Sequence, residues 1–387
     1  MSQQFIKLVL PLPSFFKIHP SSDTEPNVFR ISALNRQVPC VVCSNQTVRH
    51  SKERRRFRHS YAWGVGTIWI EIDVPRQVCK KCGITFVHDF GLGIVRSSTR
   101  HYRVEIAKRC HGRTISDVSR EYGVPYTTVE RWFYQYASCQ LETKTAKHVL
   151  VDEFATRKGH HYATVVIDAK SGCVLSIVEG RDEAAISLAL SQVKSTIQTV
   201  VSDFAPAMSK ATSSVIPDAT HVLDRFHLIQ FFTDALRRRR RFLDETKRHY
   251  HVRTIDRSLA CRPEQLDDAD LEVARACLRE DEFIKDIYYG LQHMRFVLKS
   301  TTSGQASRRL KEWIDRFMFH PCGPLAKIAK AVIVRQREME NTILSPFSNG
   351  KIEGTNNKIK LIKRRAFGYR NLNNFFTRLK LELGSSK

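Results

Sequence analysis

The sequence has no long apolar run. Its 387 residues contain no segment close to the ~20 apolar residues that a membrane span needs. The apolar start, Phe5–Leu10, is interrupted by Lys7 and is followed by Pro11 and Pro13. No basic segment precedes a continuous apolar core, as it would in a signal peptide. We therefore expect neither a membrane protein nor a secreted one, and we predict a location in the cytoplasm.

Acidic residues are scarce compared with basic ones. The chain has 39 Asp and Glu against 63 Lys and Arg, which gives a formal net charge of +24. An excess this large indicates a polyanionic partner, because contacts with phosphates release counterions and dominate affinity for nucleic acids. An anionic membrane surface is the rival partner, and the lack of apolar segments argues against it. We predict that the chain binds double-stranded DNA.

The cysteines lack the pattern of a secreted disulfide framework. Six of the ten are scattered along the chain and are expected to be reduced, packed thiols. The other four form two Cys-x-x-Cys pairs, and two such pairs can complete a closed tetrahedral zinc site. We predict a zinc-ribbon-like module over residues 1–95, with a structural Zn²⁺ bound by Cys40, Cys43, Cys79 and Cys82.

The segment between the two cysteine pairs has the pattern of a strand. Ile68, Ile70, Ile72 and Val74 alternate with mostly polar residues, as in a half-buried strand. A basic stretch precedes it, and we predict that it contacts DNA through Arg54, Arg55, Arg56 and Arg58. The alternatives for the cysteines are a redox-active pair, thiols that bind no metal, and a site in which His50 or His59 replaces one cysteine.

Residues 96–145 are predicted to form a helix-turn-helix domain. Thr114 suits the N-cap of a first helix that ends at Tyr122, and Gly123 suits the turn. Pro125 suits the first turn of a second helix, where a missing N–H costs nothing, and the short polar and basic side chains that follow suit the major groove. We therefore predict DNA contacts by Thr127, Thr128 and Arg131. The alternative is an ordinary amphipathic helical hairpin.

From residue 146 onwards, strand-like and helix-like segments alternate. Strands are predicted at 148–152, 162–168, 173–178, 199–203 and 220–223, with helices after the third, fourth and fifth. This order is that of a ribonuclease H-like α/β catalytic core, which we assign to residues 146–387. A charged segment without strand signals, about residues 237–347, is predicted to be an all-helical insertion. The predicted fold class is thus a multidomain α+β protein.

Three acidic residues of this last domain suit metal-dependent chemistry. Asp152 and Asp203 each follow an apolar strand, and Glu353 lies in the first turn of a late helix. Two Mg²⁺ ions about 3.5–4 Å apart can activate the attacking oxygen and stabilise the leaving oxygen of a phosphodiester. We predict that Asp152 bridges two Mg²⁺ ions, with Mn²⁺ as a substitute, and that Asp203 and Glu353 bind one each. Taken singly, each acid has the simpler explanation of a helix cap or a surface charge.

Four segments resemble the ISL3-family insertion-sequence transposases. They are Val151–Thr164, Ser202–Phe204, Asp224–His227 and Ser348–Asn356, and the likeness extends over nearly the whole chain. The resemblance implies a DDE-type DNA transposase that binds the terminal repeats of its element, cleaves the ends by Mg²⁺-dependent phosphodiester hydrolysis and joins the 3′-hydroxyls to target DNA. It implies Asp152, Asp203 and Glu353 as catalytic residues, with Asp224 and His227 in support. A DNA-binding regulator and a structure-specific nuclease that keep this fold are the alternatives.

Further expectations concern assembly and the remaining DNA contacts. Because two element ends must be cut in concert, we expect a homodimer or a higher oligomer, in a bacterial cytoplasm and associated with the nucleoid. Additional DNA contacts are predicted for Arg157, Lys158, Lys358, Lys360, Lys363, Arg364, Arg365 and the run Arg237–Arg241. Glu153 and Asp168 are expected to be hydrogen-bonding or exposed acids and not ligands. For Asp224 and His227, a helix cap with a satisfied histidine is the alternative.

Overall fold

The computed structural model describes residues 10–19, 24–33, 38–142, 144–347 and 350–384. Ser348 and Asn349 of the family-like segment lie outside these ranges. Within them the chain has ten strands and fifteen α-helices, which makes a mixed α/β structure. It forms two compact units, residues 1–141 with 362–382 and residues 142–361 with 383–387. None of the helices in the described ranges is long and apolar enough to cross a membrane.

The first unit begins with a five-stranded sheet. Its strands are β1 (Phe16–Ile18), β2 (Val28–Ala33), β3 (Val48–Ala62), β4 (Gly66–Val78) and β5 (Thr85–Val87). β3 and β4 form a long antiparallel hairpin, and β4 also pairs in parallel with β2 and antiparallel with β5. The alternating residues of β4 lie in the core of the sheet and are at most 6 % exposed, which confirms the predicted half-buried strand.

Three helices follow in the first unit, α1 (Arg100–Arg109), α2 (Ile115–Tyr122) and α3 (Tyr126–Gln140). The side chain of Thr114 caps α2 by accepting a hydrogen bond from the backbone N–H of Asp117 at 3.0 Å. Gly123 ends α2 with a φ of 59°, a left-handed conformation that glycine adopts without strain. Val118 and Phe133 are fully buried between the helices. The predicted pair of helices is confirmed, and α1 is an addition to it.

The second unit is built on a mixed five-stranded sheet. Its strands are β6 (His148–Ala155), β7 (Tyr162–Asp168), β8 (Val174–Glu179), β9 (Thr199–Ser202) and β10 (Thr220–Leu223). The order is β10-β9-β6-β7-β8, in which β6, β7 and β8 are antiparallel and β6, β9 and β10 are parallel. All five predicted strands are confirmed. Some ends differ: pairing with β7 extends β6 to Ala155, so that Asp152 lies within the strand, whereas β9 ends at Ser202 and Asp203 directly follows it.

Two helices pack against this sheet, α4 (Glu183–Ser191) and α5 (Pro206–Val215). Ile186 and Leu190 of α4 and Met208 of α5 form one buried cluster with Val149 and Val151 of β6. The helix predicted from residue 182 to 197 is shorter than expected, because α4 ends at residue 191 and a separate 3₁₀ turn covers residues 194–196. The cluster fixes one side of β6, the strand that carries Asp152.

The remaining helices of the second unit form an all-helical part. They are α6 (Arg225–Arg239), α7 (Thr246–His249), α8 (Val252–Ala260), α9 (Asp268–Glu280), α10 (Glu282–Val297), α11 (Ser303–Phe317), α12 (Gly323–Val334) and α13 (Gln336–Leu344). Residues 225–344 are all described and contain helices and no strand, in agreement with the lack of strand signals in the sequence. Its core includes Phe232, Met294 and Trp313. The hydroxyl of Thr342 in α13 accepts the backbone N–H of Leu223 in β10 at 2.7 Å and ties this part to the sheet.

Two helices end the chain, α14 (Gly350–Arg365) and α15 (Leu372–Leu383). Residues 362–382 belong to the first unit, whereas the sequence assigned everything after residue 145 to one catalytic domain. The physical reason is Arg378, which is 1 % exposed and donates to the Glu382 carboxylate and to the backbone carbonyls of Cys110 and Arg113. A buried guanidinium needs such partners, and here they join α15 to the turn between α1 and α2.

Candidate functional site

Three acidic residues lie at the same edge of the sheet in the second unit, one within β6 and two directly after β9 and β10. β6 pairs with β9 so that His148 is opposite Thr199, and β10 pairs with β9 so that Thr220 is opposite Thr199. Asp152, Asp203 and Asp224 each come four residues after one of these three paired residues. They therefore lie at the same level of the sheet. Neighbouring strands are about 4.8 Å apart. The fold therefore brings two of the predicted catalytic acids, Asp152 and Asp203, next to each other.

Both oxygens of the Asp152 carboxylate are held by hydrogen bonds. Oδ1 accepts the backbone N–H of Glu153 at 2.8 Å, and Oδ2 accepts the side-chain amide of Asn356 at 2.8 Å. Burial raises the pKa of Asp152, and the negative charge of Asp203 raises it further. Asp203 itself accepts the backbone N–H of Ala205 at 3.0 Å. The two carboxylates are thus oriented by the chain while they repel each other.

Glu153 belongs to the same electrostatic cluster, which the sequence did not predict. Burial raises its pKa to about 7, and the charges of Asp203 and Asp152 add to the effect. Arg181 opposes it weakly, from 3.9 Å away. Carboxylates that lie close enough to repel one another form a site where a divalent cation would be stabilised. Asp168, by contrast, accepts hydrogen bonds from its own turn, as expected for a structural acid.

Asp224 and His227 form a pair at the start of α6. Asp224 is 2 % exposed and accepts the backbone N–H of Phe226 at 3.0 Å, which caps the helix. Its other oxygen lies 2.7 Å from Nδ1 of His227. This bond raises the pKa of His227, and the charges of Asp224, Asp203 and Asp152 raise it further. The cap and the electrostatic link to the acids therefore occur together, although the sequence presented them as alternatives.

Glu353 is exposed in the first turn of α14. The buried residues Ile352 and Ile359 pack this helix on the second unit, and the hydroxyl of Thr355 donates to the carbonyl of Gly172 at 3.4 Å. Asn356, which is bonded to Asp152, lies one turn after Glu353, and residues three apart are neighbours on a helix surface. Asp152, Asp203 and Glu353 do not have all their ligand atoms within 4.8 Å of one another. The helix that carries Glu353 contacts Asp152 through Asn356, whereas Glu353 itself is not brought together with the other two acids.

The donor atoms of this site fit a hard divalent cation. Asp152 and Asp203 supply carboxylate oxygens, and the Asn356 carboxamide supplies an oxygen that is buried and has no hydrogen-bond partner among the described residues. Mg²⁺ and Mn²⁺ prefer such oxygen ligands, whereas thiolate-seeking metals do not. An oxygen left without a partner in a cluster of repelling acids is the kind of group that a cation would satisfy.

The second group of metal ligands is the cysteine cluster of the first unit. The sulfur atoms of Cys40, Cys43, Cys79 and Cys82 all lie within 4.8 Å of one another, and this is the only such group of three or more Cys, His, Asp or Glu in the described residues. Oxygen and nitrogen donors are absent from it, so neither histidine alternative holds. His59 instead is 1 % exposed and lies 3.1 Å from the hydroxyl of Thr99. Four thiolates in one cluster are consistent with a zinc ion.

The two cysteine pairs have the same local geometry. In the first, the N–H of Cys40 donates to the carbonyl of Asn45, and the N–H of Ser44 donates to the carbonyl of Cys40. In the second, the N–H of Cys79 donates to the carbonyl of Ile84, and the N–H of Gly83 donates to the carbonyl of Cys79. Ser44 and Gly83 both have a positive φ, 56° and 72°. N–H groups of Asn45 that point at the sulfur lower the pKa of Cys43 to about 6. The first turn therefore favours thiolates, the form that binds metal, whereas in the second turn burial and the neighbouring thiols raise the pKa of Cys82 despite a bond from the N–H of Ile84.

The arginines of β3 are already paired within the protein. Their partners are Asp73 for Arg54 at 3.3 Å, Glu53 for Arg55 at 2.7 Å, Glu25 and Glu71 for Arg56 at 2.8 Å each, and the ring of Trp69 for Arg58 at 5.3 Å. The five consecutive arginines are similar, since Arg239 pairs with Asp281 at 2.8 Å and Arg240 with Asp256. In order to bind DNA, these arginines would have to release their Asp and Glu partners and bind phosphates instead.

The other predicted DNA contacts differ in exposure. Of the other cations predicted to contact DNA, five are exposed and take part in no ion pair among the described residues, namely Arg131, Lys158, Lys358, Lys360 and Arg364. Thr127 and Arg157 are also exposed, and Thr128 and Lys363 are half-buried. Arg365 is bonded to Glu382 at 2.7 Å and has a structural role in the first unit. The exposed cations are the ones that remain available for phosphate contacts.

One cationic cavity was missed by the sequence analysis. It has a volume of about 380 Å³ and lies between α1 and α3, lined by Arg100, Arg103, Lys108, Trp132 and Tyr136 among others, and none of its described lining residues is acidic. Arg103 is fixed by bonds to the carbonyls of Ser98 at 2.8 Å and Gly93 at 2.9 Å. The signal was present in the sequence, because Arg100, Arg103 and Lys108 have helical spacing.

Comparison with known proteins agrees with the predicted family. A DDE transposase family model for ISL3 elements, described as "Transposase", matches residues 149–379. The chain is similar to the transposase for insertion sequence element IS1001 of Bordetella parapertussis, with 27 % identity over 342 residues and coverage of 80 % of each chain. It is also similar to the transposase for insertion sequence element IS1557 of Mycobacterium tuberculosis, with 26 % identity over 362 residues, 80 % of this chain and 78 % of that one. Because the family model spans more than half of its length, the chain belongs to the ISL3 family of transposases.

Proposed function

We propose that this protein is a DNA transposase that cleaves the ends of its element by Mg²⁺-dependent hydrolysis and joins the freed 3′-hydroxyls to target DNA. Family membership supports DNA as the substrate and a divalent metal as the cofactor. The strand order of the second unit supports a ribonuclease H-like core, because three antiparallel strands are followed by two parallel strands on the other side of β6. The net charge of +24 supports a polyanionic partner.

One observation carries this proposal. Asp203 directly follows β9 and its charge acts on Asp152 in the neighbouring parallel strand β6, and the helix that carries Glu353 is hydrogen-bonded to Asp152 through Asn356. An ordinary core has no use for carboxylates that are close, partly buried and mutually repelling. A phosphodiester-cleaving site needs such a group, because it must hold cations where negative charge develops.

Asp152, Asp203 and Glu353 are proposed to hold two Mg²⁺ ions, or Mn²⁺ in their place, with Asp152 shared between them. Bound there, the ions would activate the attacking oxygen and stabilise the charge of the leaving oxygen. The N–H of Glu153 and the amide of Asn356 keep the Asp152 carboxylate in one orientation. Preorganised carboxylates need no rearrangement when the DNA strand arrives.

Asp224 and His227 are proposed as supporting residues. Asp224 fixes the imidazole at Nδ1, which leaves Nε2 as the nitrogen available for proton exchange. The raised pKa of His227 favours the imidazolium, whose positive charge offsets the nearby carboxylates. We assign to this pair an electrostatic role beside the acids, with proton transfer to the leaving oxygen as a second role.

The first unit is proposed to recognise the element ends. Thr127, Thr128 and Arg131 at the start of α3 suit the major groove, and the cationic cavity between α1 and α3 suits a backbone phosphate. The cysteine cluster would hold Zn²⁺ as a structural ion that joins β3, β4 and their flanking turns. A homodimer or higher oligomer is proposed, because two ends must be processed together.

A strand-transfer reaction tests this function. Purified protein is incubated with a duplex that carries the inverted repeats flanking the gene and with a target plasmid, in Mg²⁺, Mn²⁺ or EDTA. We expect 3′ ends joined to the plasmid, detected by sequencing the junctions, with Asp203→Asn inactive and EDTA abolishing all products. Hydrolysed ends without junctions would indicate a structure-specific nuclease, and binding without strand breaks would indicate a regulator. Cleavage in EDTA would overturn the metal-dependent mechanism.

A further inference from the structure

The carboxamide of Asn356 is satisfied on one side only. Its Nδ2 donates to Oδ2 of Asp152 at 2.8 Å, while its Oδ1 is buried and has no hydrogen-bond partner among the described residues. The NH₂ group must be the one that faces Asp152, because two oxygens without a hydrogen between them would repel. Buried amide oxygens are nearly always paired, so this one calls for an explanation.

The surroundings of Asn356 exclude a simple structural explanation. It lies on α14 beside the buried residues Ile352, Thr355 and Ile359. The apolar side chains of Ile352 and Ile359 offer the amide oxygen no donor, and the hydroxyl of Thr355 donates to the carbonyl of Gly172. A leucine would pack at such a position without leaving an oxygen unpaired. The unpaired oxygen of Asn356 therefore costs stability, and the packing of α14 gives no reason for a carboxamide at this position.

We propose that Oδ1 of Asn356 is a ligand of the divalent cation that Asp152 binds. This inference rests on the proposed function, since it adds one neutral ligand to the same site. Nδ2 and Oδ1 belong to one amide group, so the oxygen lies close to the Asp152 carboxylate. The amide would keep Asp152 oriented through its nitrogen and bind the cation through its oxygen.

The chemistry of the cluster explains why an amide and not an acid occupies this position. Asp152, Glu153 and Asp203 already repel one another. A further carboxylate would increase that repulsion, whereas an amide supplies a hard oxygen without charge, and Mg²⁺ and Mn²⁺ accept both kinds of oxygen. Asn356 is also one helical turn from Glu353, so a cation bound by both residues would fix α14 relative to β6.

Mn²⁺ binding to the full-length protein without DNA tests the proposal. The ion is titrated by isothermal calorimetry and by electron paramagnetic resonance, which count bound Mn²⁺ independently of cleavage. We expect Asn356→Ala to weaken Mn²⁺ binding about ten- to a hundredfold, the range found when groups around a metal are removed. Asn357→Ala is the matched control, because Asn357 is the next residue of the same helix and is exposed. Its Mn²⁺ affinity should equal that of the unchanged protein.

A second variant separates a ligand from a residue that only positions Asp152. Asn356→Asp keeps an oxygen at this position but loses the N–H that Asp152 accepts. We expect it to bind Mn²⁺ at least as tightly as the unchanged protein, and thermal melting will verify that the variants fold. If Asn356→Asp binds Mn²⁺ as weakly as Asn356→Ala, or if Asn356→Ala binds it normally, Asn356 is no ligand and the inference is overturned.

One further variant separates this inference from the proposed function. Asp152→Asn removes the acid on which both depend, and it should abolish Mn²⁺ binding at this site. If Asp152→Asn loses the ion while Asn356→Ala keeps it, the inference about Asn356 fails and the proposed catalytic site stands. If Asp152→Asn itself binds Mn²⁺ with undiminished affinity, the proposed function fails at its metal site, and the role of Asn356 fails with it.

Discussion

The cysteine cluster and the carboxylate site are two metal-ligand arrangements built in opposite ways. Each cysteine pair lies in one short turn, and the two turns repeat the same hydrogen bonds. The acids come from β6, from the ends of β9 and β10 and from α14, which only the fold brings together. The four thiols gather within 4.8 Å of one another, whereas the charge of Asp203 raises the pKa of both Asp152 and Glu153.

The difference between the two sites indicates two uses of a metal. Four soft ligands from two local turns surround an ion completely and leave no position for a substrate, which is typical of structural zinc. Hard ligands spread over several elements leave positions open, which catalysis requires. Loss of the first site should therefore affect stability, and loss of the second should affect chemistry.

The largest effect is expected for a cysteine of the cluster. Cys79 is fully buried, and Cys79→Ser should release the metal and unfold much of the first unit, because structural zinc contributes roughly 10–16 kcal/mol of binding free energy, as much as the whole stability of a domain. Metal content by mass spectrometry and limited proteolysis of residues 1–141 would measure this. Cys139→Ser is the matched control, since Cys139 is exposed and outside the cluster. A zinc-free Cys79→Ser protein with a normal first unit would contradict a structural role.

The next largest effect is expected for an acid of the second site. Asp203→Asn should lower the rate of end cleavage about a thousandfold. The metal site is expected to stabilise the transition state by several kcal/mol, and each loss of roughly 1.4 kcal/mol lowers the rate tenfold. Thermal stability should not fall, since the change removes one of the repelling charges. Gel-based cleavage assays at saturating Mg²⁺ would measure the rate. Asp218→Asn, at an exposed position without an ion pair among the described residues, should cleave normally. Equal loss in both variants would argue against the site.

The two sites also differ in how much of them the sequence could predict. The cysteine spacing alone predicted the ligand set of the cluster, because each pair is closed by its own turn. The apolar runs before Asp152 and Asp203 predicted strands, and the order of elements predicted that the strands would be neighbours. Asn356 could not be assigned a role, since its contact with Asp152 spans 204 residues and depends on how α14 packs.

Pairing register explains the other misses. Arg54 is directly opposite Asp73 and Arg56 is opposite Glu71 across the β3–β4 hairpin. The sequence contains these acids, but a shift of one residue would have paired the arginines differently, and the register is fixed only by the complete hairpin. The same holds for Glu153, whose raised pKa depends on acids that the fold brings near it.

The third prediction concerns pH, to which the two sites should respond at different values. Glu153 has a pKa of about 7 in the folded protein, above its ordinary value of 4.5, so it becomes charged as the pH rises through 7. Mn²⁺ affinity at the carboxylate site should rise over the same window, by at most about tenfold per pH unit for one proton. Without metal, stability should fall between pH 4.5 and 7, because the folded state holds this proton more tightly than the unfolded state does.

Glu153→Gln separates this effect from other titrations. It should flatten the pH dependence of Mn²⁺ affinity between pH 6 and 8 and stabilise the metal-free protein above pH 7. The cysteine cluster should keep its metal throughout this range, because a bound zinc ion itself keeps its thiolate ligands deprotonated. Loss of zinc between pH 7 and 8, or an unchanged Mn²⁺ profile in Glu153→Gln, would contradict the contrast between the two sites.

The smallest effect is expected for an arginine of β3. If the cysteine-containing module is mainly structural, Arg56 stabilises the β3–β4 hairpin through its ion pairs with Glu25 and Glu71. Arg56→Ala should then change the affinity for element-end DNA by no more than about threefold, which is the size of an exposed ion pair. Arg131→Ala removes an exposed cation at the start of α3 and should reduce the free energy of DNA binding by about 1–3 kcal/mol. The dependence of this affinity on salt concentration should fall by the amount expected for about one lost phosphate contact. Fluorescence anisotropy at several salt concentrations would compare the two. A larger loss for Arg56→Ala than for Arg131→Ala would mean that the β3 arginines leave their acids for phosphates, and the module would then bind DNA directly.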